Sequence, residues 1–178
     1  MPDGLMSFDY DKLYLEYYNE LPDSELRDKF ALDRTTRDFE NAIKNSLENG
    51  LDFCYETNFD INPIYWAEKF KQRGFVIGII LFCLENQDIA RLRVAERTEF
   101  KGHFVDNRTI DLKWKAGYKN FNKFYSIFDN ILIVDNSIQK DIYTNILQIE
   151  QGELFLMTDQ LPDYFKHRLP NIYNLIKV

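Results

Sequence analysis

Cysteine, histidine, proline and glycine are all scarce in this 178-residue chain, and no apolar run is long. The two cysteines, Cys54 and Cys83, lie in apolar, strand-like stretches. Two residues make no disulfide framework, and buried free thiols in a reducing compartment are expected. The two histidines, His103 and His167, lie far apart with no cysteine cluster near either, so no zinc signature is present and no metal site is expected. The longest apolar run, "FVIGIILFCL" (Phe75 to Leu84), is about half of what a membrane helix requires and suits one buried strand. Met1 leads into "PDGLMSFDYD" without a basic n-region or a long apolar segment, so no secretory leader and a cytoplasmic location are expected. No repeat, low-complexity tract or linker interrupts the chain, which reads as one domain over residues 1–178.

Positive charge is in short supply. Lysine and arginine number 22 against 29 aspartates and glutamates, for a net charge of −7. A general nucleic-acid binder carries a basic surface or stripe, so neither nucleic acid nor a membrane is an expected partner. The basic residues that do cluster are Arg91, Arg93, Arg97, Lys101 and Arg108. Positive charge gathered in one segment of an acidic protein points to a site for a small anion.

What is present is a globular composition, 45% hydrophobic and 29% charged. "LMSF" before Asp9 reads as a short strand, and "YDKLYLEYYNEL" has helical spacing. "LPDSELRDKF" carries a helix start at Asp23 or Ser24, and the long amphipathic stretch behind it stops at Asn49-Gly50. "LDFCYET" alternates as a strand, Asn62-Pro63 opens a helix ending at Arg73-Gly74, and "FVIGIILFCL" follows as a strand apolar on both faces. Two more helices, with a loop around Gly102 to Asn107 between them, lead to the strand "NILIVDNS". "TNILQIEQGELFLMT" reads as a β-hairpin turning at Gln151-Gly152, and "LPDYFKHRL" as a short closing helix. Alternating strands and helices predict an α/β fold, a three-layer parallel sheet with helices on both faces, plus this small C-terminal hairpin and helix. Ligands in such sheets sit at the carboxyl ends of the strands, here marked by Asp9, Asp11, Glu56, Thr57, Asn58 and Asp135.

The order of these features, with the stretch "RVAERTEFKGHFV" between the last two apolar strands, resembles the zeta-toxin-like family of P-loop small-molecule kinases. The lid motif of that family looks like R-V-x-x-R-x-x-x-G-G-H-x-V. Arg93, Val94, Arg97, Gly102, His103 and Val105 fall in its places, and Lys101 stands where the first glycine belongs. Ile110, Lys113 and Trp114 match the spacing of the next family helix, and "ET" and "DNS" match two strand exits. The resemblance spans about residues 5–137 and leaves 138–178 as an extension.

The resemblance implies phosphoryl transfer from ATP or GTP, with Mg²⁺, to a hydroxyl of a small metabolite. It implies Asp11 as the base, Arg93 and Arg97 stabilising the transferred charge, and Asp9, Glu56, Thr57 and Asn58 facing substrate or metal. Lys101, Gly102, His103 and Lys113 become lid residues, while Asp135 and Asn136 lie near the nucleotide base. Arginines four apart share a helix face, and a planar guanidinium suits phosphate oxygens, so Arg93 and Arg97 should point to the strand ends. The plainer alternatives are helix capping for Asp9 and Asp11, solvated ion pairs for the two arginines, and a surface or capping place for His167.

One departure weighs on this reading. A P-loop kinase needs G-x-x-x-x-G-K-[S/T], and glycine is nowhere followed by lysine here. The resemblance starts at the family's second strand, so the Walker A segment is missing from it. This chain is therefore expected to be inactive, and the alternative to bound ATP or GTP is that none is bound. The competing function is a non-catalytic binding or interaction module, associating with itself or a partner chain through a sheet edge left open.

Overall fold

The computed structural model describes residues 6–99, 105–138 and 142–177, the side chains of 97–99 excepted. The chain divides into two compact units, residues 1–57 and 58–178.

In the first unit, α1 (Tyr10–Glu20) and α2 (Arg27–Asn49) pack together. Tyrosines one helical turn apart on α1 reach α2 with their hydroxyls. Tyr10 meets Thr36 Oγ1 at 2.6 Å, Tyr14 donates to Asp28, and Tyr17 donates to Asp38. α2 starts without a side-chain cap, at Leu26, and not at the Asp23 or Ser24 signal. It ends as expected at Gly50, whose φ of 67° is the left-handed conformation that glycine adopts without strain. Among the described residues the two expected strands reduce to one parallel bridge, Phe8 to Tyr55, with Phe8 N–H donating to Cys54 O at 2.7 Å. Rings hold this bridge in place: Phe39 of α2 lies edge-on to Phe8 at 5.2 Å and to Tyr55 at 5.4 Å. Asp9 then turns the chain straight into α1, which ends the ladder on that side.

The second unit begins with a turn in which Phe59 and Asn62 both take positive φ. Pro63 lies in this turn and not at the first position of the helix, since α3 runs Tyr65–Gln72. Strand β1 (Gly78–Cys83) leads through α4 (Gln87–Glu99) and α5 (Asn107–Phe124) to β2 (Asn130–Asp135). The hairpin β3 (Thr144–Glu150) and β4 (Glu153–Leu156) follows, then α6 (Phe165–Arg168) and α7 (Pro170–Ile176). The sheet order is β1-β2-β3-β4. β1 and β2 are parallel, and the other neighbours are antiparallel. The expected all-parallel sheet is thus a mixed one. The reason is connection length: α4 and α5 supply the crossover a parallel pair needs, whereas eight residues separate β2 from β3. The hairpin turns at Gln151 and Gly152, as read from the sequence, both with positive φ.

The core lies on one face of this sheet. Ile131, Ile133, Leu147 and Ile149 pack with Phe121 of α5, Phe165 of α6, Leu169 and Ile172. β1 departs from the expectation of two covered faces. Cys83 is buried and Ile79 and Leu81 are half-buried, but Gly78, Ile80 and Phe82 are exposed. No described helix is long and apolar enough to cross a membrane.

Candidate functional site

The parallel bridge of the first unit brings four of the expected residues to one end. Asp9 follows Phe8, and Glu56 and Thr57 follow Tyr55, so three of them lie directly beyond the paired residues, and Asp11 sits in the first turn of α1. Asp9 is the N-cap of α1, its Oδ1 accepting Lys12 N–H at 2.9 Å. Its carboxylate is committed to holding the helix start, which is the structural alternative. Asp11, Glu56 and Thr57 are exposed. Asn58 belongs to the second unit, where its carbonyl lies against Gly117 of α5. The next two carbonyls accept from Asn120 Nδ2, Phe59 O at 3.0 Å and Asp60 O at 2.8 Å. The 58–60 segment is a docking point for α5, and Gly117 allows the close approach.

At the carboxyl ends of β1 and β2 the second unit gathers a denser set. Arg93, on α4, is half-buried, and its guanidinium donates to the Asn136 carbonyl and, at 3.3 Å, to Asn136 Oδ1. Asn136 N–H in turn donates to Cys83 O at 2.9 Å, which extends the parallel pairing one step past the strand. The Asp135 carboxylate accepts from Ser137 N–H at 3.0 Å and from its hydroxyl, and the same hydroxyl accepts Glu85 N–H at 2.8 Å. Arg93 therefore points at the strand ends and meets Asn136 there. The side chain of Arg97 and residues Lys101, Gly102 and His103 lie outside the described residues. Lys113 is half-buried on α5, and His167 is exposed on α6.

Arg91 belongs by sequence to the basic cluster expected to face an anion, but in the structure it is an internal brace. Its Nε and Nη2 bind the two oxygens of Asp111 at 2.9 and 2.5 Å, and Nη1 binds Asp88 at 2.8 Å. This fork ties α4 to α5 and fixes the helix that carries Arg93. The Arg91 hydrogen bonds hold the Asp111 carboxyl below its ordinary range.

Beneath the strand ends lies a polar cluster that the sequence reading did not identify. Tyr118 accepts Leu84 N–H at 2.9 Å and donates to Leu84 O at 3.0 Å. Tyr164, 8% exposed, sits beside Asp135 without a hydrogen bond of ordinary geometry. Burial pushes the Cys83 thiol up to about 12 and raises both tyrosines as well. All three stay protonated at neutral pH, so Cys83 is no nucleophile and neither tyrosine is a base. Trp114 meets Tyr118 edge-on at 4.9 Å and carries the Arg168 guanidinium over its face at 4.3 Å. Tyr164 and Arg168 come from the segment after the hairpin. Topology alone brings them under β1 and β2, and no local pattern announces it.

The arrangement presents a guanidinium at the carboxyl ends of two parallel strands. Among the described residues no three His, Cys, Asp or Glu side chains converge as metal ligands. Comparison of the chain with protein-family models, with curated proteins and with solved structures finds no match.

Proposed function

We propose that the chain is a zeta-toxin-like, P-loop-kinase-like domain whose R-V-x-x-R helix faces a phosphate-bearing ligand, and that these 178 residues do not transfer a phosphoryl group by themselves. The observation that carries the reading is the position of Arg93. It sits on the crossover between two parallel strands and reaches their carboxyl ends, where open α/β sheets take their ligands. Arg91 holds the helix in that position through Asp111. In this reading Arg93 and Arg97 supply positive charge to phosphate oxygens, and Lys101, Gly102, His103 and Lys113 complete the lid. Asp135 and Asn136 border the base of a nucleotide. The resemblance gives Asp11 the place of the family's base and Glu56, Thr57 and Asn58 the places of substrate-facing groups, roles this chain does not exercise without a phosphate loop. Asp9 is left with its capping role.

The residues present do not fit a nucleoside triphosphate with Mg²⁺ on their own. The sequence has no Gly-Lys phosphate loop, and the described carboxylates form no cation site. No catalytic step is therefore assigned to this chain. Calorimetric titration with inorganic pyrophosphate tests the reading. Binding should be measurable at low ionic strength, weaken as salt rises, and be lost in the Arg93→Ala, Arg97→Ala double variant. Equal binding by the double variant would remove the lid assignment. Sustained ATP or GTP turnover that Arg97→Ala abolishes would overturn the claim of inactivity.

A further inference from the structure

β1 ends the sheet, and its outer edge has a particular chemistry. In the parallel pairing with β2 the odd-numbered residues turn their backbone groups inward. Ile77 O accepts from Asp129 and Asn130, and Cys83 O accepts from Asn136. Gly78, Ile80 and Phe82 therefore direct their N–H and C=O groups away from β2, and no described strand pairs with them. Edges of this kind are usually blunted by charge, proline or a bulge. From Phe75 to Leu84 the sequence has no charged residue and no proline, and the β1–β2 register is unbroken. Gly78 is exposed, as are the side chains of Ile80 by 36% and Phe82 by 56%, the Phe82 ring lying edge-on to Tyr143 at 5.6 Å.

We infer that this edge pairs with the same edge of a second copy of the chain, antiparallel, about a twofold axis at Ile80. The register follows from size. With Ile80 opposite its own copy, Phe82 of one chain lies opposite Gly78 of the other, on the same face. A glycine across from an aromatic ring leaves room for the ring to cover it, a pairing that stabilises strand glycines. A Cβ at Gly78 would make only ordinary contact with β2, at 3.8 Å to the Asn130 carbonyl and 3.9 Å to its Cβ, and Gly78 is exposed. Two neutral strands bring no like charges together, and outward backbone groups meet at each of the three residues. Shifting the register by two would oppose Gly78 to Ile80 and leave Phe82 beyond the pairing. A six-residue strand buries much less than the roughly 1,200–2,000 Å² of a stable interface, so the association is weak and depends on concentration.

Sedimentation of the full chain across a wide concentration range tests the pairing, together with oxidative cross-linking of single-cysteine additions. The expected result is a monomer–dimer equilibrium in the micromolar range that Ile80→Lys shifts to monomer. Ile80 is already exposed, so the lysine leaves the fold intact, and the circular dichroism of the variant verifies this. Ile80→Cys should cross-link to its own copy. Val76→Cys, on a residue 72% exposed but remote from its copy in this register, should not. A chain that stays monomeric at every concentration overturns the inference. A dimer that survives Ile80→Lys, or cross-linking equal at positions 76 and 80, overturns it as well.

Discussion

The first 57 residues carry fourteen acidic and six basic side chains, while residues 58–178 carry fifteen and sixteen. The acidity of the chain thus belongs to its first unit, and the second is nearly neutral. Their interiors differ in the same sense. Polar tyrosine contacts lock α1 to α2, with Tyr14 and Tyr17 on carboxylates, and the large aromatic rings around Phe39 are only half-buried. In the second unit Phe121, Ile133, Ile146, Leu147, Phe165, Leu169 and Ile172 have no solvent exposure. A net charge of −7 therefore does not argue against an anion site, because the unit that holds Arg93 does not carry that charge. At the strand ends of the second unit the Asp135 carboxylate is turned into its own Ser137.

The largest expected effect sharpens this contrast. Phe121→Ala empties the center of the second unit and should cost about 3–5 kcal/mol in urea unfolding. Phe39→Ala removes a half-buried ring from the first unit and should cost about 2 kcal/mol. Equal losses would mean that the two interiors are not built differently.

Gly117→Ala comes next. The new methyl would stand 2.8 Å from the Asn58 carbonyl, which the adjoining bonds to Asn120 hold in place. Alanine favours the helix, but relieving the overlap outweighs that gain, and a net loss of about 1–2 kcal/mol is expected from thermal unfolding. A stabilised variant would show that the segment at 58–60 gives way easily.

A smaller effect is a pH dependence within the first unit. Burial and the Asp28 carboxylate raise Tyr14 to about 12. A tyrosine raised on folding stabilises fully below its ordinary value near 10, and this contribution is lost as pH rises through the folded value. Unfolding of the first unit should become easier between about pH 10 and 12, and Tyr14→Phe should flatten that dependence. Ultraviolet titration of tyrosinate against helical circular dichroism measures it. An unchanged slope in Tyr14→Phe would assign the effect to other groups.

Arg91→Ala is the mildest change. Without its fork the Asp111 carboxyl should titrate closer to its ordinary range, which carbon-detected NMR reads directly. If Asp111 does not move, another cation holds it down.

Much of the second unit was legible. "FVIGIILFCL", the helix with Arg93, "NILIVDNS" and the Gln151-Gly152 turn all fold as their patterns indicate, because apolar periodicity and turn residues act locally. Strand direction was not legible in the same way. A run such as "TNILQIE" has the same alternation whether it pairs parallel or antiparallel, and the short loop from β2 decides it. "LDFCYET" alternates like a strand, yet the described residues give it one bridge, since alternation states a preference and pairing needs a neighbour. At the candidate site Arg93 could be found from its spacing to Arg97. The role of Arg91 could not, because Asp111 lies twenty residues away on another helix. Tyr118 was visible only as an apolar helix position, and Tyr164 gave no signal, since its place depends on the closing segment folding back under the sheet.

If Arg93 faces a phosphate-bearing ligand at the strand ends, as proposed, its own side chain will report the ligand. In a protein labelled with ¹⁵N-arginine, the Nε–H signal of Arg93, assigned from Arg93→Lys, should shift on addition of pyrophosphate, together with the backbone amide of Asn136. The Arg91 signal, tied to Asp111, should stay in place. Pyrophosphate that moves neither Arg93 nor Asn136, or that shifts all arginines alike, would rule out a phosphate-facing Arg93 and leave it as a structural clasp between α4 and β2.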